Sequence, residues 1–316
     1  MLVVLCLFHP GSAMVALDFA TWLEELQREA QQEGISAATL ETALSGVALS
    51  EKVIALDRNQ PEFTLDLESY LARTVSEARV AKGRELLENH RQILAEIAKK
   101  YGVQPRFLVA FWGIETDFGR IFGDFPVIGS LATLAFDERR GRYFRKELLH
   151  ALHILDDGLI SRELMIGSWA GAMGGLQFMP SVFREYAVDH DGDGRVDLWR
   201  NPGDLFASGG NYLGSSGWQD DQTWGREVKL PAGFDRSLTG HDRVMTISEW
   251  RELGARRIDG SPLPRRDLAA SLIIPDENGQ RVFLAYDNYR VILKWNRSDY
   301  FAVAVGTLAD RLGKGE

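Results

Sequence analysis

The chain has 316 residues, of which 45% are hydrophobic and 26% are charged, and these are ordinary values for a globular protein. The length suits two domains, or one core with insertions. The formal net charge of −9 argues against a nucleic-acid partner, which would favour a basic face, but it leaves a carbohydrate partner open.

The N-terminal segment has the pattern of a secretion signal. An apolar run over residues 2–8 is followed by small residues at 11–13, although no Lys or Arg precedes the run. We therefore expect residues 1–16 to be a signal segment that directs the protein to the periplasm; the alternative is an unstructured stub. Cys6 is the single cysteine, which excludes an internal disulfide and a cysteine-based metal site. No other apolar run is long enough to span a bilayer.

Residues 17–100 have the apolar spacing of a helical region. One helix is predicted for DFATWLEELQREAQQEG, which starts at Asp18, and a second for SAATLETALSGV, with Ser36 as its N-cap. The longest helix is predicted for SEARVAKGRELLENHRQILAEIAKKYG, which ends at Gly102. We expect these helices to pack on the core.

The central segment predicts further helices around a glycine-rich loop. Pro105 opens the apolar run PRFLVAFWGIETDFG, and proline suits the first turn of a helix. Helix is expected again within 137–163 and from Pro180 onward, with a loop at 167–175 between them.

The pattern then changes to short strand-like runs bounded by Gly and Pro, namely EVKL, RRIDG, LAASLIIP and QRVFLAY. These runs predict a small mixed α/β insertion over residues 231–285. A helix starting at Ser298 follows it. We expect the core to comprise residues 101–230 and 286–316.

Glu115 is the strongest candidate for chemistry. On a helix it shares a face with Leu108, Phe111 and Trp112. A carboxyl against aromatic rings is poorly solvated, which raises its pKa and keeps it protonated for donation near neutral pH. The alternative is a glutamate at a helix edge that reaches water. Asp117 points elsewhere on the helix and is a poor partner for it.

The strings GIETDFG and GSWAGAMGGLQFMPS, with NPGD, NY and WNRSDYF downstream, resemble the lytic murein transglycosylase B family. The resemblance runs from about residue 70 to 312. It implies a mainly α (α+β), lysozyme-like helical core and cleavage of the MurNAc–GlcNAc β-1,4 bond of peptidoglycan glycan strands. It also assigns the catalytic glutamate to Glu115.

The resemblance implies further residues of a sugar cleft: Ser168 and Gln177 as polar contacts, and Tyr70, Tyr212, Trp295 and Asn296. Aromatic rings offer sugars a flat apolar surface. Tyr212 and Trp295 have plain core packing as their alternative. The family usually has tyrosine at the position of Trp295, so a hydroxyl is missing there.

Arg139 and Arg140 match an arginine pair near the family's cleft. They either hold carboxylates of the peptide stem or form a solvated helix face, since exposed arginine is common. The sequence leaves both interpretations open.

An acidic loop over residues 189–204 has an EF-hand-type pattern, DHDGDGRVDLW. Asp189, Asp191 and Asp193 fall at loop positions 1, 3 and 5, and Arg195 offers a backbone carbonyl. Position 12 is arginine rather than glutamate, and the resemblance implies Asp204 as the closing ligand. The loop predicts structural Ca²⁺; the alternative is a solvated acidic turn.

Three functions remain open at this point. The first is a lytic transglycosylase with a 1,6-anhydromuramyl product, and the second is a hydrolysing muramidase. The third is a calcium-stabilised wall-binding protein without turnover, which would have no use for a desolvated acid.

Overall fold

The structure is a computed structural model that describes residues 18–59, 65–137, 139–276 and 281–313. The expected signal segment, 1–16, lies outside the described residues. Within them, no helix combines the length and the hydropathy needed to cross a membrane.

The α-helices of the described residues are α1 (Phe19–Gln32), α2 (Ala37–Leu44), α3 (Glu51–Arg58), α4 (Leu67–Thr74), α5 (Glu77–Asn89), α6 (Arg91–Tyr101), α7 (Pro105–Thr116), α8 (Val127–Phe136), α9 (Gly141–Asp156), α10 (Pro180–Tyr186), α11 (Pro202–Ser215), α12 (Ile247–Glu252), α13 (Asp287–Trp295) and α14 (Asp299–Leu312). The strands are β1 (Phe125–Pro126), β2 (Ile166–Gly167), β3 (Gly225–Lys229), β4 (Met245–Thr246), β5 (Arg256–Arg257), β6 (Ala269–Ile273) and β7 (Val282–Ala285).

Side-chain caps start the first helices where the sequence predicts them. The Asp18 carboxylate accepts a hydrogen bond from Thr21 N, and the Ser36 hydroxyl accepts one from Thr39 N. The prediction of a single long helix up to Gly102 was wrong, because one helix ends before His90 and another begins after it. The break lets α5 pack on α7 and α14 while α6 packs on α11.

The centre of the molecule is helical. Helix α7 begins with Pro105 in its first turn, as predicted, and packs against α14 and α5. Helix α8 is buried over most of its length and pairs with α9. Helix α8 was not predicted from the sequence, because a helix that is apolar all round lacks the periodicity of an amphipathic one.

Two sheets complete the fold. Strands β1 and β2 form an antiparallel pair, and the other five form an antiparallel sheet in the order β4-β6-β7-β3-β5. Trp250 lies in a small core on one face of the large sheet, while Phe283 joins the helical core. The insertion was predicted to start at residue 231; β3, which lies before that residue, pairs with β7 in the large sheet, and the bounds of the insertion stay a prediction.

Candidate active site

Glu115 lies in the last turn of α7, where the helix ends at Asp117 in a left-handed conformation with φ of 52°. The Thr116 hydroxyl donates to Gly175 O at 2.8 Å and accepts from Gly119 N at 3.1 Å. These two bonds tie the end of the helix to the glycine-rich loop, so Glu115 is held beside that loop.

The carboxyl of Glu115 has one hydrogen-bond partner in the described structure, the indole of Trp295. Trp295 Nε1 donates to Glu115 Oε1 at 2.8 Å. Burial raises the pKa of Glu115 to about 8, and the bond from Trp295 offsets part of that rise. The desolvated acid predicted from the sequence is thus present in the structure.

Aromatic side chains surround the Trp295 ring. Its centroid lies 4.5 Å from that of Phe111, 4.8 Å from Tyr212 and 5.2 Å from Phe178. Trp295 was predicted to contact substrate, whereas its indole N–H is occupied by Glu115 and its ring packs in this cluster.

A cavity of about 280 Å³ adjoins the cluster. Its lining residues are Tyr143, Glu147, Gln177, Phe178, Met179, Ser181, Val182, Tyr212, Lys294 and Trp295. Three of the predicted cleft residues, Gln177, Tyr212 and Trp295, are therefore brought together around one cavity.

Gln177 is positioned by its backbone and by its amide. Its φ of 50° is unusual for a residue with a side chain, and its Nε2 donates to Phe122 O at 3.2 Å and Gly174 O at 3.0 Å. Its side-chain oxygen makes no hydrogen bond within the described part of the chain, so it can accept one from a ligand.

Ser168 directly follows β2. Its hydroxyl oxygen accepts from Ala172 N at 3.0 Å, and among the described residues none accepts a hydrogen bond from this hydroxyl, so it can donate to a ligand. A side chain on Gly123, whose φ is 93°, would lie 2.1 Å from Gly167 O, so only glycine allows this approach of the chain beside Ser168.

Tyr70 and Asn296 do not line this cavity. The Tyr70 ring lies 5.7 Å from that of Tyr300. Asn296 is exposed at the end of α13, and its side-chain oxygen accepts from Ser298 N at 3.1 Å. Their assignment as cleft residues stays a prediction.

Two other carboxylates, Asp117 two positions after Glu115 and Glu147 in the cavity lining, have hydrogen-bond partners of their own. Asp117 accepts from Arg79 Nε at 3.0 Å and from Arg120 Nε at 2.7 Å. Glu147 is 4% exposed, and its two oxygens accept from the amide and the hydroxyl of Ser181 at 2.9 and 2.8 Å. Glu147 was not predicted as a residue of the site, although a glutamate on the apolar face of α9 was a usable signal.

Arg139 and Arg140 bind the buried Asp57. Arg139 Nε donates to Asp57 Oδ2 at 2.8 Å, and Arg140 Nη2 donates to Asp57 Oδ1 at 2.7 Å. Half of the Arg139 side chain and 43% of Arg140 remain exposed. They share a cavity of about 570 Å³ with Gly141, Arg142, Tyr143 and Lys146. Since Tyr143 also lines the cavity beside Trp295, the two cavities adjoin.

The acidic loop brings three predicted ligands together. Carboxylate oxygens of Asp189, Asp191 and Asp204 lie within 4.8 Å of one another. Asp204 is 1% exposed and accepts from His190 N and Asp197 N, both at 2.8 Å.

The charge of Asp204 is only partly compensated. Burial raises its pKa, the two backbone amides lower it, and the charges of Asp191 and Asp189 raise it further. An all-oxygen set with a buried acid fits a hard cation such as Ca²⁺. Asp193 lies outside the group and accepts from Arg195 N at 2.8 Å. The Arg195 carbonyl as a ligand stays a prediction.

Comparisons with known proteins agree on one family. The model described as "Transglycosylase SLT domain" matches residues 18–310. Membrane-bound lytic murein transglycosylase B of Escherichia coli K12 is 32% identical over 245 residues, which is 76% of this chain and 65% of that protein. The chain therefore spans just under two thirds of the length of this relative.

Solved structures are also similar. SltB3 from Pseudomonas aeruginosa, in complex with NAG-anhNAM-pentapeptide, has a TM-score of 0.90 and 43% identity, covering 94% of this chain and 80% of that one. Lytic transglycosylase Slt35 of E. coli, in complex with calcium, has a TM-score of 0.79 and 28% identity, covering 92% of each chain. These neighbours confirm the predicted mainly α, lysozyme-like fold.

Proposed function

Because this chain belongs to the transglycosylase SLT domain family, we propose that it is a lytic transglycosylase that cleaves the MurNAc–GlcNAc β-1,4 bond of peptidoglycan. The observation that carries the proposal is Glu115, whose pKa of about 8 keeps it protonated at neutral pH and whose hydrogen-bond partner, Trp295, lines a cavity. Such an acid can protonate a glycosidic oxygen. The SltB3 complexes with NAG-anhNAM-pentapeptide and NAG-NAM-pentapeptide support this choice of substrate.

We propose that Glu115 acts alone as acid and base. Hydrolysis of a glycoside usually takes two carboxylates. Asp117 is held by two arginines and Glu147 by Ser181, so neither is placed to activate water. The substrate's own C6 hydroxyl, already tethered to the ring, can attack C1 instead.

The proposed reaction returns the proton of Glu115 to its carboxyl. Glu115 gives its proton to the leaving O4 of GlcNAc while the C1–O4 bond breaks. The C6 oxygen then forms a bond to C1, and its proton passes to the Glu115 carboxylate, which restores the acid. The product is a 1,6-anhydromuramyl sugar. Ser168 and Gln177 are the proposed donor and acceptor that orient the sugar.

Mass spectrometry of digested cell walls tests this proposal. Anhydro products weigh one water less than hydrolysed ones. Glu115→Gln, which has nearly the same shape but no acidic proton, is expected to lose roughly 10²–10⁴ in rate. Glu24→Gln, at an exposed position on α1, is the matched control and should retain wild-type activity.

Each alternative has its own outcome. A digest dominated by the heavier reducing products would indicate a hydrolysing muramidase. Binding to sacculi without any loss of turbidity would indicate a wall-binding protein. A desolvated acid is costly to the fold, and a binding protein gains nothing from it, which favours an enzyme.

We also propose that the cavity lined by Arg139, Arg140, Arg142 and Lys146 holds carboxylates of the peptide stem. Asp57 engages one edge of Arg139 and Arg140, but both side chains remain half exposed beside the exposed Arg142 and Lys146. Arginine pairs bind carboxylates well because their donors are planar and paired. The adjoining cavities would place the glycan and its stem side by side.

We propose that Asp189, Asp191 and Asp204 hold a structural Ca²⁺, with Asp193 and the Arg195 carbonyl as further expected ligands. The calcium complex of Slt35 supports this assignment. The ion would relieve the repulsion of the three carboxylates and fix the loop against the start of α11. We further propose that the enzyme acts in the periplasm, where its substrate lies.

A further inference from the structure

The hydrogen bond from Trp295 to Glu115 joins side chains that are 180 positions apart in the chain. An indole nitrogen carries a hydrogen and has no free lone pair, so it can donate a hydrogen bond but cannot accept one. Because Trp295 Nε1 donates to Oε1, that oxygen is an acceptor whether Glu115 is ionised or protonated.

A protonated carboxyl carries its hydrogen on one of its two oxygens. With Oε1 bound as an acceptor, the hydrogen of Glu115 belongs on Oε2. Oε2 makes no hydrogen bond to any described residue, and it is not among the fully buried atoms that lack a partner. Oε2 is therefore not fully enclosed by the protein, in agreement with the partial exposure of the Glu115 side chain.

We propose that Trp295 is a positioning residue that fixes the acidic hydrogen of Glu115 on Oε2, the oxygen that meets the glycosidic bond. This inference rests on the proposed function, because the place of the hydrogen matters only if Glu115 donates it. It differs from the role predicted from sequence, in which Trp295 contacts the sugar.

The packing of Trp295 supports a fixed donor. Phe111, Phe178 and Tyr212 contact its ring with centroids between 4.5 and 5.2 Å away, so the indole has little room to turn. Helix α13 ends at this residue, where Asn296 N donates to Ile292 O at 3.0 Å. The donor is therefore held by the core and by the end of a helix.

The charged and titratable groups around the pair have partners of their own. Asp117 binds Arg79, Glu147 binds Ser181, and Lys294 Nζ donates to Ser216 O at 2.7 Å. Between α5 and α6, the His90 ring lies 6.3 Å from that of Trp112, and burial lowers the pKa of His90. Tyr143, Tyr186 and Tyr212 are the nearby phenols, and burial raises the pKa of Tyr212. On α14, the apolar side chains of Phe301 and Leu308 lie against α7.

Nuclear magnetic resonance tests the contact without any substrate. The chain has eight tryptophans, and the indole N–H signal that Trp295→Phe removes identifies Trp295. We expect this signal to titrate with the pKa of Glu115, near 8, and the titration to vanish in Glu115→Gln. A Trp295 signal that is unaffected by pH between 6 and 9 in the wild type would overturn the proposal.

The pH dependence of turnover tests the positioning role. Loss of the donor in Trp295→Phe should move the alkaline limb of kcat up by roughly 1 pH unit, because a bond to the carboxylate is lost. It should also lower kcat on the acid plateau roughly tenfold, with a smaller change in KM, because the hydrogen is no longer confined to Oε2.

Trp295→Tyr is the matched variant, since a phenol can donate, and it should return the alkaline limb toward its wild-type position. A Trp295→Phe profile that differs from the wild type in KM alone would show a sugar-contact role and refute the positioning role. Absence of any cell-wall cleavage by the wild type would instead refute the proposed function, while the spectroscopic result would still stand.

Discussion

Glu115→Gln should make the fold more stable at neutral and alkaline pH while it removes activity. Glutamine keeps the shape of the side chain and can still accept the bond from Trp295 Nε1. It has no charge to desolvate. The gain in stability should therefore depend on pH in a way that reports the pKa of Glu115 in the folded protein.

The direction of this pH dependence follows from the pKa values of Glu115 in the unfolded and folded states. Burial raises the pKa of Glu115 from an ordinary 4.5 to about 8. Below 4.5 both the folded and the unfolded states are protonated. Between 4.5 and 8 the unfolded state ionises while the folded state keeps its proton, so the free energy of unfolding of the wild type falls as pH rises.

The size of the stability difference follows from the same two pKa values. Each pH unit in this window costs about 1.36 kcal/mol, so the wild type loses about 3 kcal/mol of stability at pH 7 relative to the glutamine variant. This figure is an upper limit, because Glu115 keeps partial contact with solvent.

Urea unfolding of both proteins at pH 5, 7 and 8.5 measures the difference, with Glu24→Gln as an exposed control whose effect should not vary with pH. Charges common to the two proteins cancel in the comparison. If Glu115→Gln is no more stabilising at pH 8.5 than at pH 5, Glu115 is well solvated and the argument for a protonated acid is refuted.

Other predictions follow from the rest of the site. Calcium should raise the melting temperature by a few degrees, since saturating ligand adds about 2.7 kcal/mol at a hundredfold over its dissociation constant; Asp191→Asn should remove this rise in a thermal scan and Asp193→Asn should retain more of it. Lys146→Ala should raise KM for stem-bearing muropeptides and leave KM for bare glycan strands unchanged. Asp57→Asn should cost about 1.5–3 kcal/mol in chemical unfolding, because the buried side chain loses the charge that binds two half-exposed arginines.

Local signals in the sequence predicted much of the fold. Caps at Asp18, Ser36 and Ser298 and the proline at the start of α7 are side-chain or ring effects within a few residues of each helix end, so the sequence shows them directly. The break at His90 was missed because it depends on which helices α5 and α6 meet. That information lies in the tertiary packing.

The residues of the site also divide into those whose surroundings lie close by in the sequence and those whose partners lie far away in it. Glu115 was predictable because the aromatic residues that desolvate it lie one turn away on its own helix. Its donor, Trp295, and the acid that binds the arginine pair, Asp57, come from distant segments. Only the folded chain shows that the indole N–H meets a carboxylate, or that half of each guanidinium is already engaged.

The electrostatics of the site place two requirements on one carboxyl. In the proposed mechanism, Glu115 is protonated when it breaks the glycosidic bond and then exists as a carboxylate that recovers a proton. The shift in its pKa comes from burial rather than from a neighbouring negative charge, since Asp117 is neutralised by two arginines. Burial alone would make the carboxylate hard to form. A donor at Oε1 offsets part of that cost while Oε2 stays free, so in the proposed mechanism Trp295 would assist the second half of the reaction as well as the first.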